Sequence, residues 1–307
     1  MGFEEIEQMN ALPKRIVLAT DGSEDATLAA RAAVELSNRM SADLYVAHAW
    51  RFVPPYADYP RVEWGDYVHL YEREARRVLE SQLEAIEGMG GTIAESRLLR
   101  NPPIDAILDL CEEVEPDLLV MGSRGLGTVR RILVGSVSEG VVHHARCPVL
   151  VVRGGSEAWP PERVVVGEDG SDDAARAAEL AAGIARHFGA GIVLVRAYQN
   201  PPKPVGGWSA EDGRKLDEVL FRQEGAMKER AKEFEEVLGS YPEIRVIEGE
   251  AAAAILDVAG DGSGRMTLVA VGSRGLGMIG RARLGSVSTK VLGASPRPVL
   301  VCPRTRR

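Results

Sequence analysis

Cysteine is scarce in this chain. There are 3 in 307 residues, widely spaced at Cys111, Cys147 and Cys302. That number and spacing give neither a disulfide framework nor a zinc site, and they fit a reducing compartment. Cys147 and Cys302 are expected as small buried apolar residues. Aromatic residues make up 5% of the chain. Trp50, Trp64, Trp159 and Trp208 fall near loops and linkers, which offers no stacking platform for single-stranded nucleic acid. Basic charge is not in excess either: 37 Lys and Arg face 45 Asp and Glu, a net charge of −8. Binding a phosphate backbone needs clustered cations, so general nucleic-acid binding is not expected. No apolar run approaches the ~18 residues of a membrane span. Met1 to Asn10 lacks the basic and apolar stretches of a signal peptide. The expectation is a soluble, cytoplasmic protein.

What is present is a repeat. Apolar residues at 45% and charged residues at 27% are globular composition, and the length suits about two domains. Residues 15–26 read RIVLATDGSEDA and residues 163–174 read RVVVGEDGSDDA, an offset of 148. Later the match returns at an offset of 150: 16 of the 31 positions in 122–152 are identical to those in 272–302. The two extra residues fall near Gly260–Arg265, a Gly/Asp/Ser stretch read as loop. The boundary is placed in the linker Gly154–Pro161, giving domains over 1–153 and 162–307.

Within each half, strand-length apolar runs alternate with helical patterns. In the first half, strands are expected at Arg15–Thr20, Leu44–Ala49, Ile93–Leu99, Leu118–Met121 and Val149–Val152. Helices are expected at Glu24–Arg39, Tyr67–Glu87, Pro103–Val114 and Ser136–Ala145. In the second half, strands are expected near Val164–Gly167, Ile192–Ala197, Arg245–Ile247, Thr267–Val271 and Val299–Val301. Continuous apolar strands between helices imply a parallel sheet covered on both faces, an α/β doubly wound domain used twice.

In such sheets, ligands bind beyond the carboxyl ends of the strands, where the strand order reverses. The first strand of each half runs into Thr20-Asp21-Gly22-Ser23 or Glu168-Asp169-Gly170-Ser171. The fourth runs into Gly122-Ser123-Arg124-Gly125 or Gly272-Ser273-Arg274-Gly275. A loop then reaches Gly135-Ser136 or Gly285-Ser286, where a helix begins. Glycines let backbone N–H groups approach an anion, and a helix N-terminus presents unpaired donors. Ser136, Ser138, Ser286 and Ser288 are expected to add hydroxyl donors. Gly122 to Ser136 contains Arg124, Arg130 and Arg131 and no acid; Gly272 to Ser286 contains Arg274, Arg281 and Arg283 and no acid. Asp21 and Asp169 suit ribose hydroxyls or a metal bridging phosphates. The plain alternative is that Asp-Gly-Ser is only a turn and helix cap.

The spacing Gly-x2-Gly-x9-Gly-Ser, at Gly122, Gly125, Gly135, Ser136 and at Gly272, Gly275, Gly285, Ser286, closely resembles the universal stress protein family in its tandem, ATP-binding form. The resemblance implies five-stranded parallel sheets flanked by helices. It implies ATP (or ADP or AMP) with Mg2+ or Mn2+. Ala19, Thr20 and Asp21 would line the adenosine end, Ala49 would touch adenine, and Asp21 and Gly122 would meet the ribose. Gly125, Gly135, Ser136, Val137 and Ser138 would hold phosphates, with Met121 and Arg124 alongside. The matching set is Gly167, Glu168, Asp169, Ala197, Val271, Gly272, Arg274, Gly275, Gly285, Ser286, Val287 and Ser288. The resemblance also implies that fifth strands pair across an interface, an internal pseudo-dimer, with further homo-oligomer formation.

One departure stands out. Glu168 replaces Thr20 directly before the second aspartate. Two adjacent carboxylates would repel a nucleotide unless a metal or side-chain orientation relieves it, or Glu168 points into solvent.

Other motifs are weaker. Gly275-x-Gly277-x-x-Gly280 spells a dinucleotide fingerprint, but it follows a fourth strand, lacks the acid ~20 residues on, and is not repeated in the first half. A Walker P-loop is absent. His143-His144 has Gly293-Ala294 as its counterpart and reads as a helix face. No nucleophile–base arrangement is shared by the halves, so turnover is expected to be slow at most. The function expected is a nucleotide-dependent stress-response or signalling switch with an unidentified protein partner. The alternative is a scaffold in which nucleotide is structural or absent. The loops Pro54–Gly65 and Asn200–Gly213 are candidate lids or partner surfaces, or plain connectors.

Overall fold

A computed structural model describes residues 12–52, 65–125, 134–154, 159–200, 209–275 and 284–303. It divides into two compact units, one spanning Pro13–Pro160 and one made of Leu12 with the residues from Pro161 onward.

In the first unit the order is β1 (Arg15–Ala19), α1 (Glu24–Met40), β2 (Asp43–Trp50), α2 (Gly65–Gly88), β3 (Ile93–Arg100), α3 (Pro103–Val114), β4 (Leu118–Gly122), α4 (Ser136–His144) and β5 (Val149–Val152). The strands lie side by side as β3-β2-β1-β4-β5, with every pairing parallel. In the second unit, β6 (Arg163–Gly167), α5 (Asp172–Phe188), β7 (Gly191–Tyr198), α6 (Ala210–Leu238), β8 (Glu243–Glu248), α7 (Ala251–Ala259), β9 (Thr267–Gly272), α8 (Ser286–Ala294) and β10 (Val299–Cys302) follow. Their order is β8-β7-β6-β9-β10, again parallel. Each unit is therefore a doubly wound α/β domain with a five-stranded parallel sheet.

The sequence explains the layering. β4 and β5 are buried at every residue, as strands covered on both faces must be. β3 mixes exposed and half-buried residues, which suits its position at the end of the strand order. α1 starts where Ser23 Oγ accepts from Ala26 N at 3.2 Å, and its alanines pack flat against the sheet. α5 repeats this with Ser171 and Ala174, also at 3.2 Å. Pro103 opens α3 at a position where its missing N–H costs nothing.

One segment read as loop is partly helix. α6 begins at Ala210, inside Asn200–Gly213, and its first bond runs from Gly213 N to Ser209 O at 3.0 Å. A Glu211–Lys215 pair one turn apart supports that start at 2.8 Å. Residues 201–208, like most of the Pro54–Gly65 segment, lie outside the described residues.

Candidate functional site

β1 is flanked by β2 on one side and β4 on the other, so the chain order reverses between β1 and β4. At their carboxyl ends the first unit holds a cavity of about 510 Å³. That volume lies within the range of small-molecule sites, roughly 300–1,000 Å³. All the first-repeat candidates line it: Ala19, Thr20, Asp21, Ala49, Met121, Gly122, Arg124, Gly125, Gly135, Ser136, Val137 and Ser138. Ala47, Pro103, Ile107 and Glu139 also line it and were not foreseen. Ala47 could have been: side chains on a strand alternate, so it shares a face with Ala49. Pro103 and Ile107 sit on α3, and only the packing of that helix on the sheet brings them in.

Asp-Gly-Ser is a turn and cap here, and it does more. Asp21 Oδ1 accepts from Ser23 N at 3.0 Å, while Gly22 takes the positive φ of 79° that the turn needs. Asp21 Oδ2 lies against the Cα of Gly125, in the space a side chain there would fill. Asp169 does the same with Ser171 N at 3.0 Å and with Gly275. The fourth-strand glycines touch backbone: a Cβ on Gly122 would sit 2.7 Å from Asp25 C, and one on Gly272 2.6 Å from Ala174 N.

The helices after the fourth strands begin with Gly135 and Gly285, neither of which offers a side-chain cap. The first α4 bond runs from Glu139 N to Gly135 O at 2.9 Å. Ser136, Val137 and Ser138, whose N–H groups precede it and have no partner within the helix, line the cavity. Ser136 and Ser286 are exposed at the first helical position. Gly135 N donates to Ser123 O at 2.7 Å, and Gly285 N to Ser273 O at 2.6 Å, fixing where each helix starts.

Three expectations are corrected. Ser138 and Ser288 do not add free donors: their hydroxyls donate to Gly122 O at 2.8 Å and Gly272 O at 2.6 Å. They bind the helix start to the strand end. Arg124 is not an unopposed cation. Buried Asp25 accepts its Nε at 3.1 Å and also accepts Ser123 Oγ at 2.6 Å, and this contact raises the guanidinium pKa. Asp25 lies 99 positions away in sequence, which is why a local count of acids missed it. Arg130, Arg131, Arg281 and Arg283, with Gly277 and Gly280, lie outside the described residues. In the second unit Asp173 plays the Asp25 part, accepting Ser273 Oγ at 2.8 Å and Arg274 N at 3.0 Å.

The third correction is Glu168. It does not point into solvent; the residue is 6% exposed. Its Oε1 accepts Gly170 N at 2.7 Å, and its Oε2 lies 3.5 Å from Arg230 Nε. Arg196 Nε donates to its backbone carbonyl at 3.2 Å.

The other second-repeat candidates stand at equivalent places. Gly167 ends β6 and faces Ile255 of α7, whose Cδ1 would be 2.6 Å from an added Cβ. Ala197 lies on β7, Val271 and Gly272 end β9, and Val287 follows Ser286 in α8.

Cys111, Cys147 and Cys302 are all buried. Among the described residues, no cluster of three or more His, Cys, Asp or Glu could hold a metal ion.

This geometry has counterparts in known proteins. The model of the universal stress protein family matches residues 13–153 and again 161–303. The Thermus aquaticus protein named universal stress protein in QAH/OAS sulfhydrylase 3'region is 39% identical over 140 residues, 46% of this chain and 98% of that one. A universal stress protein of Mycobacterium bovis is 29% identical over 302 residues, covering 93% of this chain and 96% of its own. The crystal structure of a universal stress protein from Archaeoglobus fulgidus shares the fold with a TM-score of 0.64 at 24% identity, over 95% of this chain and 98% of that one. With both repeats matched, this chain belongs to the universal stress protein family.

Proposed function

We propose that this protein binds an adenine nucleotide, ATP or its ADP and AMP relatives, at the carboxyl end of the sheet in each repeat. The observation that carries this reading is the first-unit cavity. Its lining joins an apolar surface (Ala19, Ala47, Ala49, Met121) with an uncapped helix N-terminus. A flat base suits the first surface, and phosphates suit the second. Asp21 and Ser136 are among the polar residues of the same lining.

These residues fit the nucleotide. Gly125 leaves Asp21 room that any side chain would take. Mg2+ or Mn2+ suits the same site if carried on the phosphates, because Mg2+ commonly takes one or two carboxylates together with phosphate oxygens. Asp21 and Glu139 are the carboxylates lining the cavity.

Binding would act as a switch, favouring one conformation of the protein over another and so altering what a partner or second copy meets. A stress-response or signalling role in the cytoplasm, with slow turnover or none, agrees with the family. Among the described residues, no helix is long and apolar enough to cross a membrane.

The test is the nucleotide content of freshly purified protein, followed by calorimetric titration of the stripped chain with Mg·ATP. Adenine nucleotide in the denatured supernatant and saturable heat are expected. Neither, at millimolar ATP, sinks the reading and leaves the scaffold.

A further inference from the structure

We infer that Arg196 and Arg230 are positioning residues for the second nucleotide site, holding the Glu168 carboxylate toward α6 and away from the cradle; this rests on the reading above. At the offset of 148, Thr20, His48 and Gln82 correspond to Glu168, Arg196 and Arg230.

In the first unit the three are joined by hydrogen bonds and contain no carboxylate. Thr20 Oγ1 donates to Gln82 Oε1 at 3.0 Å, and His48 Nδ1 donates to Thr20 O at 2.8 Å. In the second unit every member has changed and the contacts have become ionic. Glu168 Oε2 stands 3.5 Å from Arg230 Nε, and Glu168 Oε1 stands 3.9 Å from Arg196 Nη2. Both geometries keep the same backbone contact: position 48 or 196 reaches the carbonyl of position 20 or 168. Both also cap the turn, Gly22 N on Thr20 Oγ1 at 3.4 Å and Gly170 N on Glu168 Oε1 at 2.7 Å.

Alternation decides where the carboxylate lies. Ala47 and Ala49 line the first cavity, so His48 between them faces the other side, where Gln82 of α2 waits. Arg196, next to Ala197, is its equivalent on β7, with Arg230 on α6. Glu168 therefore points to the α6 side, and Asp169 turns the opposite way toward Gly275. The adjacent carboxylates that suggested repulsion are on different faces, and one of them is paired.

The arginines are themselves fixed. Arg196 Nη1 donates to Gln223 Oε1 at 3.2 Å. Arg230 donates to Ala175 O at 3.3 Å and to Glu233, and stacks 5.3 Å from the Phe234 ring centre. Glu168, Arg196 and Arg230 side chains are 4%, 13% and 19% exposed. Removing one cation leaves a buried carboxylate under-compensated beside the Asp169 turn. These are positioning residues for the second site.

The experiment is calorimetry of the stripped full chain with Mg·ATP, on wild type and variants, with thermal melts run in parallel. Wild type is expected to bind one nucleotide in each repeat. Arg230→Gln is expected to weaken one of the two sites about tenfold, leaving the other unchanged. The triple variant Glu168→Thr, Arg196→His, Arg230→Gln carries the first-repeat set and is expected to recover both sites. It also serves if Arg230→Gln fails to fold. The inference is overturned if wild type binds a single nucleotide and Glu168→Thr raises it to two. It is equally overturned if Arg230→Gln keeps both affinities despite a lowered melting temperature. No binding at either site in wild type removes the nucleotide reading itself and this inference with it.

Discussion

The Glu168 carboxylate and the Arg230 guanidinium, 3.5 Å apart, take the places of the Thr20 hydroxyl and the Gln82 amide oxygen, which meet across 3.0 Å in the other repeat. A buried ion pair is hard to alter one side at a time. Arg230→Gln and Glu168→Thr are each expected to destabilise the second unit by about 3 kcal/mol, the low end for a broken buried pair, since a buried charge loses its partner. The double variant is expected to cost less than their sum. Urea melts of the four proteins give the coupling energy; strict additivity would mean that the two groups act independently.

Gly125 and Gly122 predict different consequences for the same change. A Cβ at 125 meets only the carboxylate end of Asp21, which can swing aside. Gly125→Ala is expected to lower stability by under about 1 kcal/mol and to weaken nucleotide binding, because Asp21 loses its orientation. A Cβ at 122 meets Asp25 C at 2.7 Å and Ala26 N at 2.8 Å, backbone that cannot yield without moving α1. Gly122→Ala is expected to cost about 3 kcal/mol, at the upper end for overpacking. Thermal melts beside calorimetry separate the two; equal losses of stability would count against the contrast.

Glu179 on α5 gives a pH dependence. Burial pushes its carboxyl pKa up, against the lowering pull of Arg230 and Arg176. A raised folded value favours the protonated form. Its contribution to stability is full below the unfolded value, about 4.3, and is lost as pH rises through the folded value. Glu179→Gln mimics the protonated acid. It is expected to raise the melting temperature at pH 7 and to leave it unchanged near pH 4. A variant less stable than wild type at pH 7 would show that the arginine contacts outweigh burial.

The cysteines are predicted to be inert in the folded protein. A hydrogen bond with Cys147, and then burial, push the Cys111 thiol well above its usual range. The thiolate is the reactive form, so Cys111 should resist a thiol reagent at pH 8, and Cys147 should resist it because it is buried. Cys302, fully buried, should behave likewise. All three should react at once in denaturant; rapid labelling of any in the native state refutes this.

Much of this was readable in the chain. The strands were visible because a strand covered on both faces is apolar throughout, as in Leu118–Met121 and Val149–Val152. The cradle residues were visible because the repeat keeps its Gly-Ser and Ser-Arg dipeptides while their neighbours drift. What stayed hidden was which group each side chain would meet. Asp25 holds Arg124 from across the fold, and Ser138 turns back to Gly122 O. Glu168 is the instructive case. Period-two alternation at the end of β6 already puts it opposite Asp169, and the changes at Arg196 and Arg230 already supply its cations. The signal was present in three separate positions, and only the packing of β7 and α6 against β6 showed that they form one group.

That three-residue exchange also bears on history. Whichever set the ancestral half carried, no single substitution converts one into the other without burying an unmatched charge. A path between them has to bring in a cation before the acid, or lose the acid before the cations. After such an exchange, copying one half's strand end into the other would import a misfit unless all three residues travelled together. The two halves of this protein descend from one template, yet here they have ceased to be interchangeable parts.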